Sequence, residues 1–320
     1  MSSEILRVAV VGAEDLQARS LCEALKEGGL RGNQVVPLGA RLGHLELSLD
    51  VDATAEVFLP LEPEHVAGVQ VIALFSKDPE ARAAVAEWAR EGGQLLLDMV
   101  PPAGAVAGWI DPLSGEDREE MARGLAFPDP AALYLSRALR FLNGHASGTV
   151  AAQVFSPVTR LGEAGALELF NQAFAILNFK PIPQDVLGRQ VAFNFFPMPE
   201  DEEHAEFAAQ VRSLSCENHL KVTCAVLQAP SFHGTALSVA VGVHDSDKAL
   251  SVLDAAVSTD SCFALWEGSG WPSPIDVAGQ ERPLLMAKAL DPETLWLWVV
   301  FDNAKAGKGA LAARWLLAGR

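Results

Sequence analysis

The side chains best equipped for covalent chemistry in this 320-residue sequence are four cysteines, Cys22, Cys216, Cys224 and Cys262. Their spacing fits neither a zinc motif nor a disulfide framework. Cys224 lies in a run with strand character, where a thiol is ordinarily an inert core group. Cys262 follows Asp260 by two residues, and a nearby carboxylate disfavours the thiolate. His233, in Phe232-His233-Gly234-Thr235, carries an imidazole able to give or take a proton near neutrality. An extended chain would set it on the same face as Thr235. Gly234 between them marks a bend, and His233 has no nucleophile to activate. The acidic run 199–204 has metal-ligand residue types, yet it leads into a helical pattern over 205–214, where acids in the first turn complement the helix dipole. Residues 114–120 read the same way.

Two further segments combine chemistry with a helix start. Gly12-Ala13-Glu14-Asp15-Leu16-Gln17-Ala18 follows an apolar run and opens a helix, the setting in which glycines let backbone amides approach a pyrophosphate. Only Gly12 is a glycine. Glu14 and Asp15 put carboxylates where a phosphate would lie, and each is able to satisfy the helix N-terminus itself. In Phe127-Pro128-Asp129-Pro130-Ala131, Asp129 is a good N-cap and Pro130 suits the first helical position, where a missing N–H costs nothing.

The elements that hold these segments are legible as patterns. Residues 5–11, 69–75 and 94–98 read as buried strands and 16–27 and 79–90 as helices, closed by Gly28-Gly29 and Gly92-Gly93. Continuous apolar strands alternating with helices predict a Rossmann-like parallel sheet covered on both faces. Further on, helices are expected at 129–142, 162–178, 247–257 and 304–317, and strands at 149–155, 191–196, 221–228, 235–243 and 295–301. That order predicts an α+β domain on a mostly antiparallel sheet. Trp266, Trp271, Trp296 and Trp298 are expected in its core or at a subunit interface. With 24 Lys and Arg against 41 Asp and Glu, the formal charge of -17 repels phosphate backbones and argues against nucleic-acid binding. The longest apolar run, 295–301, is too short to span a bilayer. The N-terminal residues have no signal-peptide pattern, so no membrane association and a cytoplasmic location are expected.

With the elements in place, the sequence resembles the aspartate-semialdehyde dehydrogenase family nearly end to end. The resemblance is carried by Gln190-Val191-Ala192-Phe193-Asn194 with Pro197, by Val222-Thr223-Cys224 through to Pro230-Ser231-Phe232, and by Asp302-Asn303-Ala304-Lys305-Ala306-Gly307. It implies an NADP-binding domain over 1–127, to which 303–320 returns as the last helix, a catalytic and dimerisation domain over 128–302, and a homodimer. It also implies reductive dephosphorylation of an aspartyl phosphate through a cysteine thioester. That reaction needs a thiol, a histidine acid/base, arginines for carboxylate and phosphate, and a glycine loop.

Under the resemblance, the thiol position falls on Pro130, the active-site glutamine on Ser156, the carboxylate-binding arginine on Gln228 and the histidine on Thr235. The second arginine falls in Met99-Val100-Pro101-Pro102-Ala103, which holds no basic residue. Gly12 and Arg41, the latter near the position for a 2′-phosphate-binding residue, are what remains of the cofactor contacts. The expectation is a catalytically inactive homologue: a homodimeric binding, scaffold or regulatory protein, with an unknown protein partner possible, without a metal or bound cofactor, NADP entering by resemblance alone. The alternative is an NAD(P)-dependent oxidoreductase acting on an aldehyde or acyl phosphate by altered chemistry, with His233 as its candidate residue.

Overall fold

A computed structural model describes residues 6–43, 46–49, 55–100, 109–114, 125–198, 201–215 and 219–318. Cys216, residues 101–103, 115–120 and 199–200, and the side chains of 201–203 lie outside the described residues. The chain divides into two compact units, Met1–Pro128 with Lys308–Arg320, and Asp129–Gly307. In chain order the first contains β1 (Val8–Val11), α1 (Leu16–Glu27), β2 (Val35–Leu42), β3 (Glu46–Leu49), β4 (Ala55–Leu61), α2 (Pro63–Val66), β5 (Val71–Leu74), α3 (Pro79–Gly92), β6 (Leu95–Asp98) and β7 (Leu125–Ala126). The second contains α4 (Pro130–Phe141), β8 (Ala146–Ser156), α5 (Gly162–Leu177), β9 (Phe196–Pro197), α6 (Asp201–Ser215), β10 (Lys221–Gln228), β11 (Thr235–Val243), α7 (Ser246–Thr259), β12 (Leu284–Asp291) and β13 (Thr294–Phe301). Helix α8 (Lys308–Ala318) completes the first unit.

The first unit is built on a seven-stranded sheet in the order β3-β4-β2-β1-β5-β6-β7. Its pairings are parallel except β3 with β4. Every residue of β1 and β5 is buried, which is why both read as unbroken apolar runs. Helix α1 buries Ala18, Leu21, Cys22 and Leu25, one face at helical spacing. Helix α3 starts at Pro79 behind its cap Asp78 and stops at Gly93, whose φ of 70° is the left-handed value a helix terminus needs. Helix α8 crosses α1 closely: a Cβ added at Gly309 would lie 1.9 Å from the Gln17 carbonyl oxygen.

The second unit is built on a six-stranded sheet in the order β12-β13-β11-β8-β10-β9, antiparallel except where β10 runs parallel to β8. Leu237, Val239 and Val241 of β11 pair with Val299, Leu297 and Leu295 of β13 on one face, all fully buried. Ser238 and Ala240 pair with Trp298 and Trp296 on the other face, which is half-buried. Trp296 stacks on Trp271 at 4.5 Å between ring centroids, and Trp298 packs with Trp266 and Phe155. Thus a parallel Rossmann-like sheet is followed by a mostly antiparallel one, with two local departures from the sequence pattern and five strands, β2, β3, β4, β7 and β12, that the pattern did not reveal.

Residues 191–196 do not form the expected strand. The N–H groups of Val191 and Ala192 donate to Oε1 of Gln172 on α5, and only Phe196 and Pro197 pair with β10. The last helix begins at Lys308, not at Ala304. The Asp302 carboxylate accepts the N–H groups of Ala304 and Lys305 and holds that stretch as a turn. Strand β12, which the sequence pattern did not reveal, joins β13 by the turn at Pro292-Glu293. Among the described residues no helix is long and apolar enough to cross a membrane.

Gly309→Ala is expected to destabilise the protein by about 2–3 kcal/mol, the cost of overpacking a closed helix crossing. A urea midpoint equal to that of the parent would contradict the close α1–α8 approach.

Candidate functional site

In the first unit the sheet order reverses at β1, with β2 on one side and β5 on the other. Sheets of this kind take ligands at the carboxyl ends of the strands beside such a reversal. Gly12 lies there with φ +81°, and a Cβ on it would meet the Ser76 backbone nitrogen at 2.9 Å. The chain leaving β5 therefore passes directly against Gly12. Ser76 is buried, and its hydroxyl donates to the Ala40 carbonyl at 2.7 Å, tying the end of β5 to β2.

Both helix starts at this end carry an aspartate. The Asp15 carboxylate accepts the N–H groups of Gln17 at 2.7 Å and Ala18 at 3.4 Å at the head of α1. The Asp78 carboxylate accepts Ala81 N–H at 2.8 Å at the head of α3. Arg82 donates to the Ser76 carbonyl and to the Asp98 carboxylate, and the Lys308 ammonium donates to the Met99 carbonyl at 2.6 Å. Arg41 is exposed near the end of β2. Ser76 and Asp78 were not singled out from the sequence. The available signal was Asp78-Pro79, the same cap-and-start dipeptide as Asp129-Pro130.

In the second unit, Asp129 caps α4: its carboxylate accepts Ala131 N–H at 2.8 Å, while its own N–H donates to Gln210 at 2.7 Å. Pro130 is buried at the first position of the helix. Inside α4 the Tyr134 hydroxyl donates to the Ala306 carbonyl at 2.6 Å.

Ser156, Gln228 and Thr235 come together. Gln228 pairs with Ser156 across β10 and β8, and the pairing of Ala236 with Phe155 sets Thr235 opposite Ser156 on β11. All three are buried on one face at one end of the sheet. The row contains no charge. The Gln228 amide donates to the carbonyls of Ser156 at 3.0 Å and Ala229 at 3.1 Å, so its donors are spent on backbone.

His233 does not join this row through its strand. It is exposed, and Gly234 has φ +82° with Pro274 packed where a Cβ would stand. The Gly234 N–H donates to Asn303 Oδ1 at 2.7 Å, Asn303 Nδ2 donates to Thr159 Oγ1 at 3.1 Å, and Thr159 Oγ1 donates to the Phe232 carbonyl at 2.6 Å. This network fixes the bend that separates His233 from Thr235.

Cys224 is half-buried on β10. Cys262 is buried in the loop after α7, its N–H donating to an Asp260 carboxylate that also pairs with Arg137 at 2.6 Å. His204 accepts the Val226 N–H at its Nε2, as a neutral imidazole does. Among the described residues, Glu62, Glu64 and His65 are the group whose ligand atoms lie close enough to share a cation, within 4.8 Å of one another. They sit on and beside the four-residue helix α2, with Glu64 exposed.

Asp15→Ala and Asp129→Ala are each expected to destabilise the fold by about 1 kcal/mol, the usual effect of removing an N-cap. Asn at either position should retain most of the parent's stability. Chemical denaturation of the four variants checks this, and an unchanged Asp129→Ala midpoint would remove the capping role.

No family model matches the chain. A USG-1 protein homolog of Pseudomonas aeruginosa is 28% identical, covering 95% of each chain. An aspartate-semialdehyde dehydrogenase of Rickettsia conorii is 25% identical over 49% of this chain and 50% of its own. The crystal structure of aspartate semialdehyde dehydrogenase II from Vibrio cholerae superposes with a TM-score of 0.80 over 98% of both chains, at 18% identity. The fold is that of these dehydrogenases.

Proposed function

We propose that this chain is a catalytically inactive homologue of aspartate-semialdehyde dehydrogenase that works as a homodimeric binding, scaffold or regulatory protein in the cytoplasm. The supporting observation is the start of α4. The position that corresponds to the family's thiol holds Pro130, buried behind its cap Asp129, and a proline ring offers no nucleophile. No cysteine lies between Cys22 and Cys216 to take its place. At the positions of the family's glutamine, arginine and histidine stand Ser156, Gln228 and Thr235, three neutral groups. A threonine hydroxyl does not relay a proton near neutral pH as imidazole does. Gln228 also lacks the bidentate cationic fork that holds a substrate carboxylate.

The residues at the head of α1 do not fit a dinucleotide. Asp15 already accepts the N–H groups of Gln17 and Ala18, which a pyrophosphate would otherwise take. A phosphate brought within about 4 Å of that carboxylate meets a repulsion of about 1 kcal/mol in water-like surroundings and more when desolvated. With Glu14 adding a second charge, binding is weakened by roughly one to two decades or more. We therefore read the first unit as a degenerate cofactor domain, in which Gly12 and Arg41 are vestiges, and the second as the dimerisation domain.

Purified protein supplied with aspartate semialdehyde, NADP and phosphate is expected to give no nicotinamide reduction above the blank. NADP is expected to leave the thermal midpoint unchanged, since a ligand that bound the native state would raise it. Pro130→Cys should not gain turnover, because Thr235 and Gln228 remain and the new thiol would be buried beside the Asp129 carboxylate. Turnover by the parent protein would refute the proposal.

A further inference from the structure

Two residues other than glycine have positive φ among the described residues: Phe179, at 55°, and Phe193, at 60°. A bulky aromatic residue in this region is strained, because Cβ crowds the carbonyl. Both are exposed, Phe179 to 98% and Phe193 to 68%. Strain without a packing reward inside the chain is an observation that calls for a role outside it.

The two positions are built into the fold. Helix α5 ends in a Schellman motif: the Lys180 N–H donates to the Ala175 carbonyl at 2.9 Å and the Phe179 N–H to the Ile176 carbonyl at 3.3 Å. The residue with positive φ in this motif is ordinarily glycine, sometimes asparagine. Phe193 follows a loop that α5 holds from beneath. Buried Glu168 accepts the N–H groups of Val186 and Leu187 at 2.7 and 2.8 Å. Fully buried Gln172 donates to the carbonyls of Pro183 and Arg189 and accepts the N–H groups of Val191 and Ala192. A turn from Asn194 N–H to the Val191 carbonyl at 2.9 Å then fixes Phe193.

The same elements expose Phe170, Phe174, Leu177 and Phe195, each by half or more. Between Leu167 and Phe179 the only charged residue is Glu168, which is buried, and between Gln190 and Met198 there is none. The charges that flank these surfaces are cationic, Lys180 over the Phe174 ring at 5.4 Å and Arg189 over the Phe196 ring at 4.4 Å, and neither repels a second copy of a chain whose formal charge is -17. Their exposed apolar side chains amount to roughly 800 Å², taking about 200 Å² for a fully exposed aromatic, against about 800 Å² per partner in a standard interface. The net negative charge also opposes anionic membranes.

We infer that Phe179 and Phe193 are pre-organised anchors that dock into a second copy of this chain, the cost of their backbone strain being offset by the apolar burial that association supplies. This deepens the homodimer proposed above and rests on it. The test uses Phe179→Asn and Phe193→Asn, because asparagine tolerates positive φ. By analytical ultracentrifugation the parent is expected to be a dimer, and each variant to raise the dissociation constant at least tenfold. To separate strain from association, the same substitutions are placed on Phe170→Glu, which is expected to be monomeric. There they should leave the thermal midpoint equal or higher, as relief of strain demands. A dimeric parent whose Asn variants associate as tightly would overturn the anchor assignment and leave the homodimer standing. A monomeric parent at all concentrations would overturn both. A fall in midpoint of several degrees on the monomeric background would show that the two phenylalanines serve the chain's own fold, which also overturns the assignment.

Discussion

Each helix begins with N–H groups that its own backbone does not satisfy, and the structure depends on how they are satisfied here. Helices α1, α3 and α4 each start behind an aspartate in extended backbone, Asp15, Asp78 and Asp129, whose carboxylate accepts one or two of these donors. In α3 and α4 a proline follows at once, removing one donor and presetting φ. Asp245 does the same for α7 by accepting the Lys248 N–H. Lys248 answers with its ammonium, holding the Asp245 carboxyl below its usual range. A helix start left open attracts an anion or favours a thiolate. A helix start closed by its own carboxylate is more stable and has fewer donors, and a negative charge, to set against an anion.

The same economy governs the end of the second sheet. A buried guanidinium whose partner arrives only with substrate is, in the empty state, an uncompensated charge costing several kcal/mol. Gln228 at such a place needs no partner from outside, because the carbonyls of Ser156 and Ala229 take its amide protons. The Asn303, Thr159 and Gly234 network likewise closes on backbone. On the function proposed above, these are the residues expected once a site is no longer required to hold unsatisfied groups ready for a reaction.

Much of this was legible in residue patterns, and the failures have physical causes. Strands β10 and β11 match their apolar runs residue for residue, because buried alternation is the signal being read. Asp129-Pro130 announces a helix start because capping is local chemistry. Gly234 announces a bend because only glycine enters its left-handed φ without strain. Residues 191–196 misled for the opposite reason. They alternate like a strand, but their ladder is a side chain: Gln172, nineteen residues before Val191, supplies the acceptor that a neighbouring strand would have supplied. No local pattern reports a hydrogen bond of that range. Strand β12 was invisible because only its first two residues are buried, so its pattern lacks the regular alternation of a half-covered strand. Ser76 was missed because its value lies in reaching the Ala40 carbonyl thirty-six residues earlier, across the end of β1.

Glu168 and Gln172 show how cost is distributed when the chemistry of a site is closed and a surface is kept open. A carboxylate and an amide buried under a loop are expensive unless every lone pair and proton finds a partner. Here they find them in the backbone of residues 183–192. That arrangement specifies one loop conformation instead of merely filling a core, since an apolar pair of equal volume would leave those backbone groups without acceptors. A protein under pressure only to remain folded would shed both the buried polar pair and the strained phenylalanine that follows. Helix α5 instead spends two interior positions on holding the loop and leaves its other apolar side chains in water. The physical sense of that expenditure lies in what the loop presents to another molecule.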